Sequence, residues 1–163
     1  NLNFKEGEYL YSERPKGVQQ NPETQNTWDN LLRGAGPAPL KTNEGWLILY
    51  HAMDNRDPGR YKLGAMVVEH DDPTKIKYRS NYPLLEPDER YENEGFKSGV
   101  VYSCGAVIKD EKLYVYYGGA DTVSCVAHIE VNKLLDNLKK QKQIQLERCD
   151  KINFTDQLSN SYA

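Results

Sequence analysis

One segment of this chain occurs twice, and that repeat narrows the fold more than any composition does. Trp46-Leu47-Ile48-Leu49-Tyr50-His51-Ala52-Met53-Asp54 is echoed by Leu113-Tyr114-Val115-Tyr116-Tyr117-Gly118-Gly119-Ala120-Asp121 at a constant spacing of about 67 residues, and self-similarity at fixed spacing is the signature of repeat architectures. The same spacing lays Gly36-Pro37-Ala38-Pro39 on Ser103-Cys104-Gly105-Ala106. With about five fewer residues in the second copy's hairpin, Leu63-Gly64-Ala65-Met66-Val67 falls on Cys125-Val126-Ala127-His128-Ile129. Each copy reads as an antiparallel sheet of successive short strands. Sheets repeated in this way predict an all-β chain made of propeller blades, of which a closed ring needs about 4–8.

Two to three blades are too few to close a ring, and the end blades would expose faces that neighbours normally bury. The first residue is Asn1 rather than Met. The expectation is therefore the C-terminal part of a longer protein, or a chain that needs a second chain to complete the ring. Residues 1–35 read as the end of a preceding blade, with a strand pattern near Tyr9-Leu10-Tyr11, followed by a Pro-containing loop. Residues 36–98 read as one blade with strands near Pro37–Leu40, Trp46–Met53, Tyr61–Glu69 and Lys75–Arg79, followed by an acidic loop from Glu86 to Ser98. Residues 99–131 read as the next blade, with a Lys109-Asp110-Glu111-Lys112 hairpin. Beyond Val131 the spacing of Leu134, Leu135 and Leu138 is helical, so a short amphipathic helix with Asn132 as N-cap is expected to about Gln143. The remainder of 132–163, from Gln145, carries Ile152, Phe154 and Leu158 and is either a ring-closing last strand or a frayed end.

Composition excludes several classes of partner. The 21 Lys and Arg are offset by 24 Asp and Glu, for a net charge of −3, and form no basic run, which argues against nucleic acid. No apolar stretch approaches the roughly 18 residues needed to cross a bilayer, so no membrane role is expected. The 12 Tyr suit strands and sugar-facing surfaces. Cys104, Cys125 and Cys149 read as free thiols, the first two buried within strands. His51, His70 and His128 lack any paired-ligand spacing, so no metal is expected.

The chemistry-bearing candidates lie at strand ends. His51 closes an apolar run where the second copy has Gly118; it is either a hydrogen-bonded structural imidazole or a functional one. Asp54 and Asp121 occupy equivalent positions and either cap turns or bind sugar. Tyr50, Tyr61, Tyr91, Tyr102 and Tyr117 are strand filler or stacking platforms for pyranose rings. The acidic loop supplies Glu86, Asp88, Glu89, Glu92 and Glu94; an inverting glycosidase needs two carboxyl groups about 6.5–9.5 Å apart, and such a loop is a source of one.

The order and spacing of Gly34-Ala35-Gly36-Pro37-Ala38-Pro39, Glu44-Gly45-Trp46-Leu47-Ile48-Leu49-Tyr50-His51, Tyr61-Lys62-Leu63-Gly64-Ala65, Pro83-Leu84-Leu85-Glu86-Pro87, Ser103-Cys104-Gly105-Ala106 and Tyr116-Tyr117-Gly118-Gly119-Ala120-Asp121 resemble glycoside hydrolase family 130, across roughly residues 28 to 131. The resemblance implies a five-bladed β-propeller, of which this chain is the C-terminal two to three blades with a short C-terminal helix. It also implies action on β-mannoside oligosaccharides in a bacterial cytoplasm or periplasm. Most members cleave with inorganic phosphate and invert the anomeric centre to give α-mannose 1-phosphate; others hydrolyse β-1,2-mannosides.

Carried over residue by residue, His51 matches a phosphate-binding position and Asp121 a position at the sugar site. The phosphorylases place a Lys before the Gly-rich turn where this chain has Leu32, with Arg33 beside it as a second phosphate-binding candidate. If hydrolysis is the reaction, Glu92 and Glu94 are the candidate bases; Asp54 and Tyr61 join Asp121 as substrate-binding candidates. The general acid, an Asp in the family's N-terminal half, has no counterpart here, so this segment by itself is expected to be inactive. No organic cofactor or metal is implied, only phosphate as a co-substrate. A non-catalytic carbohydrate-binding propeller and a purely structural propeller are the competing readings.

Overall fold

The computed structural model describes residues 28–149 with the exception of residue 55. The chain folds into two antiparallel sheets. The first contains β1 (Leu31–Ala35), β2 (Leu40–Lys41), β3 (Trp46–Met53), β4 (Lys62–Val68) and β5 (Ile76–Arg79), in the order β1-β3-β4-β5 with β2 also paired to β3. The second contains β6 (Val101–Lys109), β7 (Lys112–Gly119), β8 (Val123–Glu130) and β9 (Glu147–Arg148), neighbours in sequence order. Helix α1 (Arg90–Asn93) lies in the connection between the sheets and α2 (Val131–Lys139) follows β8.

β3 is a central strand buried on both sides, and its alternation divides the core. Leu47 and Leu49 join Leu63, Ala65 and Val67 on one face, which packs against Leu113, Val115, Tyr117, Ala127 and Ile129 of the second sheet. Tyr50 and Ala52 point the other way, with Met66 and Val68, under Trp28. Thus Tyr50 and Tyr117, equivalent in the repeat, occupy the same face of successive sheets. The opposite face of the second sheet leaves Val107 and Tyr116 43% and 47% exposed.

Several expectations need correction. The strand expected at Pro37–Leu40 is reduced to β2, because Pro37 and Pro39 have no N–H to donate to a ladder. Its place beside β3 is taken by β1, which the sequence reading assigned to a loop. A bulge between Leu32 and Gly34 leaves Arg33 without a partner position on β3. The second-hairpin alignment is one residue out: Leu49 pairs with Ala65 and Tyr116 with Val126, so Ala65 corresponds to Val126 rather than Ala127. A one-residue slip exchanges the two faces of a strand, and the observed register keeps Met66 and Ala127 equivalent. A second bulge, between Ser103 and Gly105, turns Cys104 out to solvent rather than into the core.

The β2–β3 turn depends on Gly45 at φ 147, where a Cβ would stand 2.1 Å from the Val68 carbonyl oxygen. The β6–β7 turn is built from Asp110 and Glu111 at φ 50 and 62, the left-handed pair that matches strand twist in a two-residue hairpin. α2 begins two residues earlier than expected, with Glu130 rather than Asn132 at the N-cap. Val131 is already buried and its amide donates to the Glu111 carbonyl at 2.9 Å, so β8 runs directly into the helix. The helix stops at Lys139, before Gln143, since Gln141 takes a left-handed φ of 55. Leu134, Leu135 and Leu138 are buried as their spacing predicts.

After the helix, β9 pairs with β8 at Ala127 and His128, completing its own sheet. The tail reading thus places its first strand in this chain's second sheet; the rest of the tail, and the strand pattern near Tyr9, lie outside the described residues. The sheets are stitched together near one end of the core. Tyr61 donates its amide to the Gly99 carbonyl at 2.9 Å, and the Val101 amide returns a bond to the Tyr61 carbonyl at 3.2 Å. That junction positions the site.

Candidate functional site

Where β4 meets β6, an open cleft of about 230 Å³ is lined by Tyr61, Lys97, Val100, Tyr102 and Asp121. Its walls come from separate elements. Tyr61 precedes β4, Tyr102 lies on β6, Asp121 is in the β7–β8 turn and Lys97 is on the acidic connection. Ala120 and Asp121 have φ values of 48 and 51, the left-handed pair also used in the β6–β7 turn, and the Thr122 amide closes the turn on the Gly119 carbonyl at 3.0 Å. The Lys97 ammonium stands over the Tyr61 ring, 4.8 Å from its centroid. Tyr61 and Tyr102 are tilted neighbours with centroids 6.1 Å apart. Two aromatic rings, an ammonium donor and a carboxylate acceptor in one cleft are the groups that bind a polyhydroxylated ring.

His51 lies directly behind this wall. It is on the face of β3 turned toward the second sheet, and its ring stacks on Tyr102 with centroids 4.0 Å apart and planes 8° from parallel. Nε2 accepts the Ser103 amide at 2.8 Å and lies 3.1 Å from the Ser103 hydroxyl. An acceptor nitrogen carries no hydrogen, so the neutral ring's proton is assigned to Nδ1, which has no hydrogen-bond partner among the described residues. Burial lowers the imidazole pKa from 6.5 to about 4. His51 is thus a neutral group with an N–H donor. Gly36 permits this packing, because a Cβ there would stand 2.6 Å from the Ser103 hydroxyl and 3.0 Å from His51 Cε1.

The other predicted residues divide. Tyr61 and Asp121 meet in the cleft, whereas Asp54, equivalent to Asp121 in the repeat, does not line it. Its carboxylate accepts the Arg56 backbone amide at 2.9 Å and is clamped by the Arg56 guanidinium; hydrogen bonding from Arg56 lowers its pKa to about 2. Asp54 therefore caps a turn, the alternative its position left open. Arg33 is exposed on the β1 bulge and does not line the cleft.

Glu92 and Glu94 do not fit the role of base. Glu94 is exposed and paired with Arg90 at 2.6 Å. Glu92 is fully buried, accepting hydrogen bonds from Tyr117 Oη at 2.8 Å and Arg148 Nε and Nη2, both at 2.9 Å. The amides of Asp88 and Glu89 add bonds of 3.0 and 2.9 Å. Burial alone would raise its pKa, but bonds from Arg148, the Glu89 amide and Tyr117 hold it below the usual carboxylate range. With its oxygens engaged, Glu92 has no lone pair directed at a substrate water.

The first sheet repeats this arrangement. Tyr50 donates to Asp29 at 2.7 Å and Arg79 Nη2 to the same carboxylate oxygen at 2.9 Å. Arg79 pairs with Met66 and Arg148 with Ala127, equivalent positions in the repeat. In each sheet a buried carboxylate from the segment preceding the sheet thus ties the tyrosine of the second strand in its order, β3 or β7, to the arginine of the fourth, β5 or β9. The repeated tyrosines were visible in the sequence; their partners, spread over distant positions, were not. Lys97 was also missed, although a cation within an acidic loop is a signal in itself.

The family model for glycoside hydrolase family 130, described as beta-1,4-mannooligosaccharide phosphorylase, matches residues 5–140. A 1,2-beta-oligomannan phosphorylase of Thermoanaerobacter sp. strain X514 is 46% identical over 109 residues, 67% of this chain and 36% of that protein. The solved structure of the beta-1,2-mannobiose phosphorylase of Listeria innocua in complex with beta-1,2-mannobiose superposes with a TM-score of 0.61 at 39% identity, covering 67% of this chain and 30% of that one. A structure described as showing that the GH130 mannoside phosphorylases include glycoside hydrolases targeting beta-1,2 mannosidic linkages in Candida mannan matches at TM-score 0.51 and 27% identity, over 60% of this chain and 30% of that one. The chain spans about a third of the length of these relatives. With its repeated sheets and its matching residues, it belongs to glycoside hydrolase family 130.

Proposed function

We propose that the chain supplies one wall of the active site of an inverting β-mannoside phosphorylase, and that its two sheets are C-terminal blades of a five-bladed propeller. The observation that carries this reading is the cleft in which Tyr61, Tyr102, Lys97 and Asp121 converge, with His51 stacked behind Tyr102, in a chain 46% identical over 109 residues to a named phosphorylase. In the proposed reaction a phosphate oxygen attacks the anomeric carbon of a β-linked mannose as the glycosidic C–O bond breaks. The leaving oxygen takes its proton from an acid outside this chain, and the products are α-mannose 1-phosphate and the shortened saccharide.

Asp121 accepts sugar hydroxyls and Tyr61 and Tyr102 offer ring faces. His51, the phosphate-binding candidate, is buried behind the cleft and acts on it through the Tyr102 ring that it stacks on. Lys97 supplies the cation that Leu32 does not, and Arg33 is a second, outlying one. The cleft is smaller than the roughly 300–1,000 Å³ of a complete small-molecule site, in keeping with walls contributed from elsewhere in the protein. The packing supports the propeller reading: the first sheet's inner face meets the opposite face of the second, an arrangement that translates from blade to blade.

The test is to incubate the complete gene product with β-1,2- and β-1,4-mannobiose, with and without inorganic phosphate, and to identify the released sugar. Mannose 1-phosphate formed only with phosphate is the expected result. Free mannose released equally in both conditions would replace phosphorolysis by hydrolysis, and saturable mannoside binding without product would leave a carbohydrate-binding propeller.

A further inference from the structure

We propose, resting on the mannoside reading above, that Thr122 is a positioning residue of the site: its hydroxyl ties the connection that carries Lys97 to the turn that carries Asp121, and so fixes the cleft's cation relative to its carboxylate. Lys97 and Asp121 both line the cleft, whereas Thr122 does not. The turn closes on itself, through the left-handed Ala120 and Asp121 and the bond from the Thr122 amide to the Gly119 carbonyl. The connection is held to that turn from outside. The Phe96 amide donates to Thr122 Oγ1 at 2.9 Å, that hydroxyl donates to the Ala120 carbonyl at 3.0 Å, and the Lys97 amide donates to the same carbonyl at 2.9 Å.

A backbone amide can only donate, so the hydroxyl accepts from Phe96 and gives its single proton to Ala120. A threonine bonded only to the carbonyl two residues before it would be a local turn device. The bond from Phe96, 26 residues away, makes it a link between segments. Gly95 permits the approach, since a Cβ there would stand 2.5 Å from Thr122 Oγ1 and 2.8 Å from Ala120 Cβ. Beyond Lys97 the connection is fixed separately, by Ser98 Oγ donating to the Asn93 carbonyl at 2.6 Å and the Gly99 amide donating to the Glu92 carbonyl at 3.0 Å. Lys97 thus sits between two anchors, and Thr122 supplies the one on the Asp121 side. Groups held in place beforehand spare a ligand the cost of ordering them.

The experiment is a double-mutant cycle in the complete protein, with wild type, Thr122→Val, Lys97→Met and the pair, and Thr122→Ser as the conservative variant. Each is assayed on β-1,2-mannobiose with phosphate, varying the two substrates in turn. Thr122→Val is expected to raise KM about three- to tenfold for the substrate that Lys97→Met affects, with kcat changed less than about twofold. Thr122→Ser restores it, and Thr122→Val adds nothing once Lys97 is Met, because the link acts through that ammonium. Hydrogen exchange at the Phe96 and Lys97 amides should quicken in Thr122→Val while the unfolding midpoint holds. Unchanged constants, additive effects of the two substitutions, or a loss that Thr122→Ser fails to restore would each overturn the proposal while leaving the mannoside reading standing. A wild-type protein that releases no product overturns the mannoside reading itself, and the positioning role with it.

Discussion

The imidazole of His51 lies flat on the phenol ring of Tyr102 at 4.0 Å, so a buried neutral group forms the back of a wall whose front faces the cleft. Its folded-state pKa, about 4, lies below its ordinary 6.5, so between those values the unfolded chain binds more protons. Stability therefore rises with pH across this window and is lost as pH falls through it. A shift of this size corresponds to about 3 kcal/mol. Urea midpoints measured from pH 7 to 4 should fall more steeply for the wild-type protein than for His51→Gln. Parallel curves would exclude the neutral buried imidazole.

Glu92→Gln is expected to destabilise the protein by about 3–5 kcal/mol, because the Arg148 guanidinium loses the anion it is buried against. Tyr117→Phe removes one donor from the same carboxylate and should cost about 1–3 kcal/mol. Since the folded Glu92 pKa is depressed, its contribution is present at neutral pH and is lost as pH falls below the unfolded value near 4.5. Chemical denaturation of both variants checks the ranking; a Glu92 cost below that of Tyr117 would refute the anchor.

Gly64 and Gly118 provide a test of packing. A Cβ on Gly64 would stand 2.5 Å from Tyr50 Cζ and 2.8 Å from the Trp28 ring, whereas Gly118 has nothing nearer than 3.9 Å. Gly64→Ala should cost about 1–3 kcal/mol through overpacking, and Gly118→Ala should stay within about 0.5 kcal/mol of wild type. Thermal unfolding of the pair gives the comparison, and equal effects would contradict the described face of β4.

Lys97→Met is expected to raise KM for mannoside or phosphate about 10- to 100-fold, the range for losing a charged hydrogen bond, while leaving the unfolding midpoint in place, since the side chain is exposed. Asp121→Asn should raise KM for mannoside alone. Steady-state kinetics with each substrate varied in turn separates the two, and a Lys97 variant with unchanged constants would remove it from the site.

The repeat determined much of this protein on its own. A nearly continuous apolar run wrote β3 as Trp46–Met53, since a strand buried on both faces needs bulk at every position, and the helical spacing of Leu134, Leu135 and Leu138 identified a buried stripe. The family's motif placed Tyr61 and Asp121 in contention for the cleft that they do line. Short-range pattern could not show which of two equivalent aspartates is engaged: Asp54 meets Arg56 two residues on, while Asp121 sits on a left-handed turn facing the cleft. Nor could it place Glu92, because residue type does not reveal that Tyr117 and Arg148 enclose its carboxylate from strands 25 and 56 residues away. Sequence periodicity records which side chains are apolar, whereas the partners of a buried charge are set by contacts between distant segments, and only the packed sheets decide those.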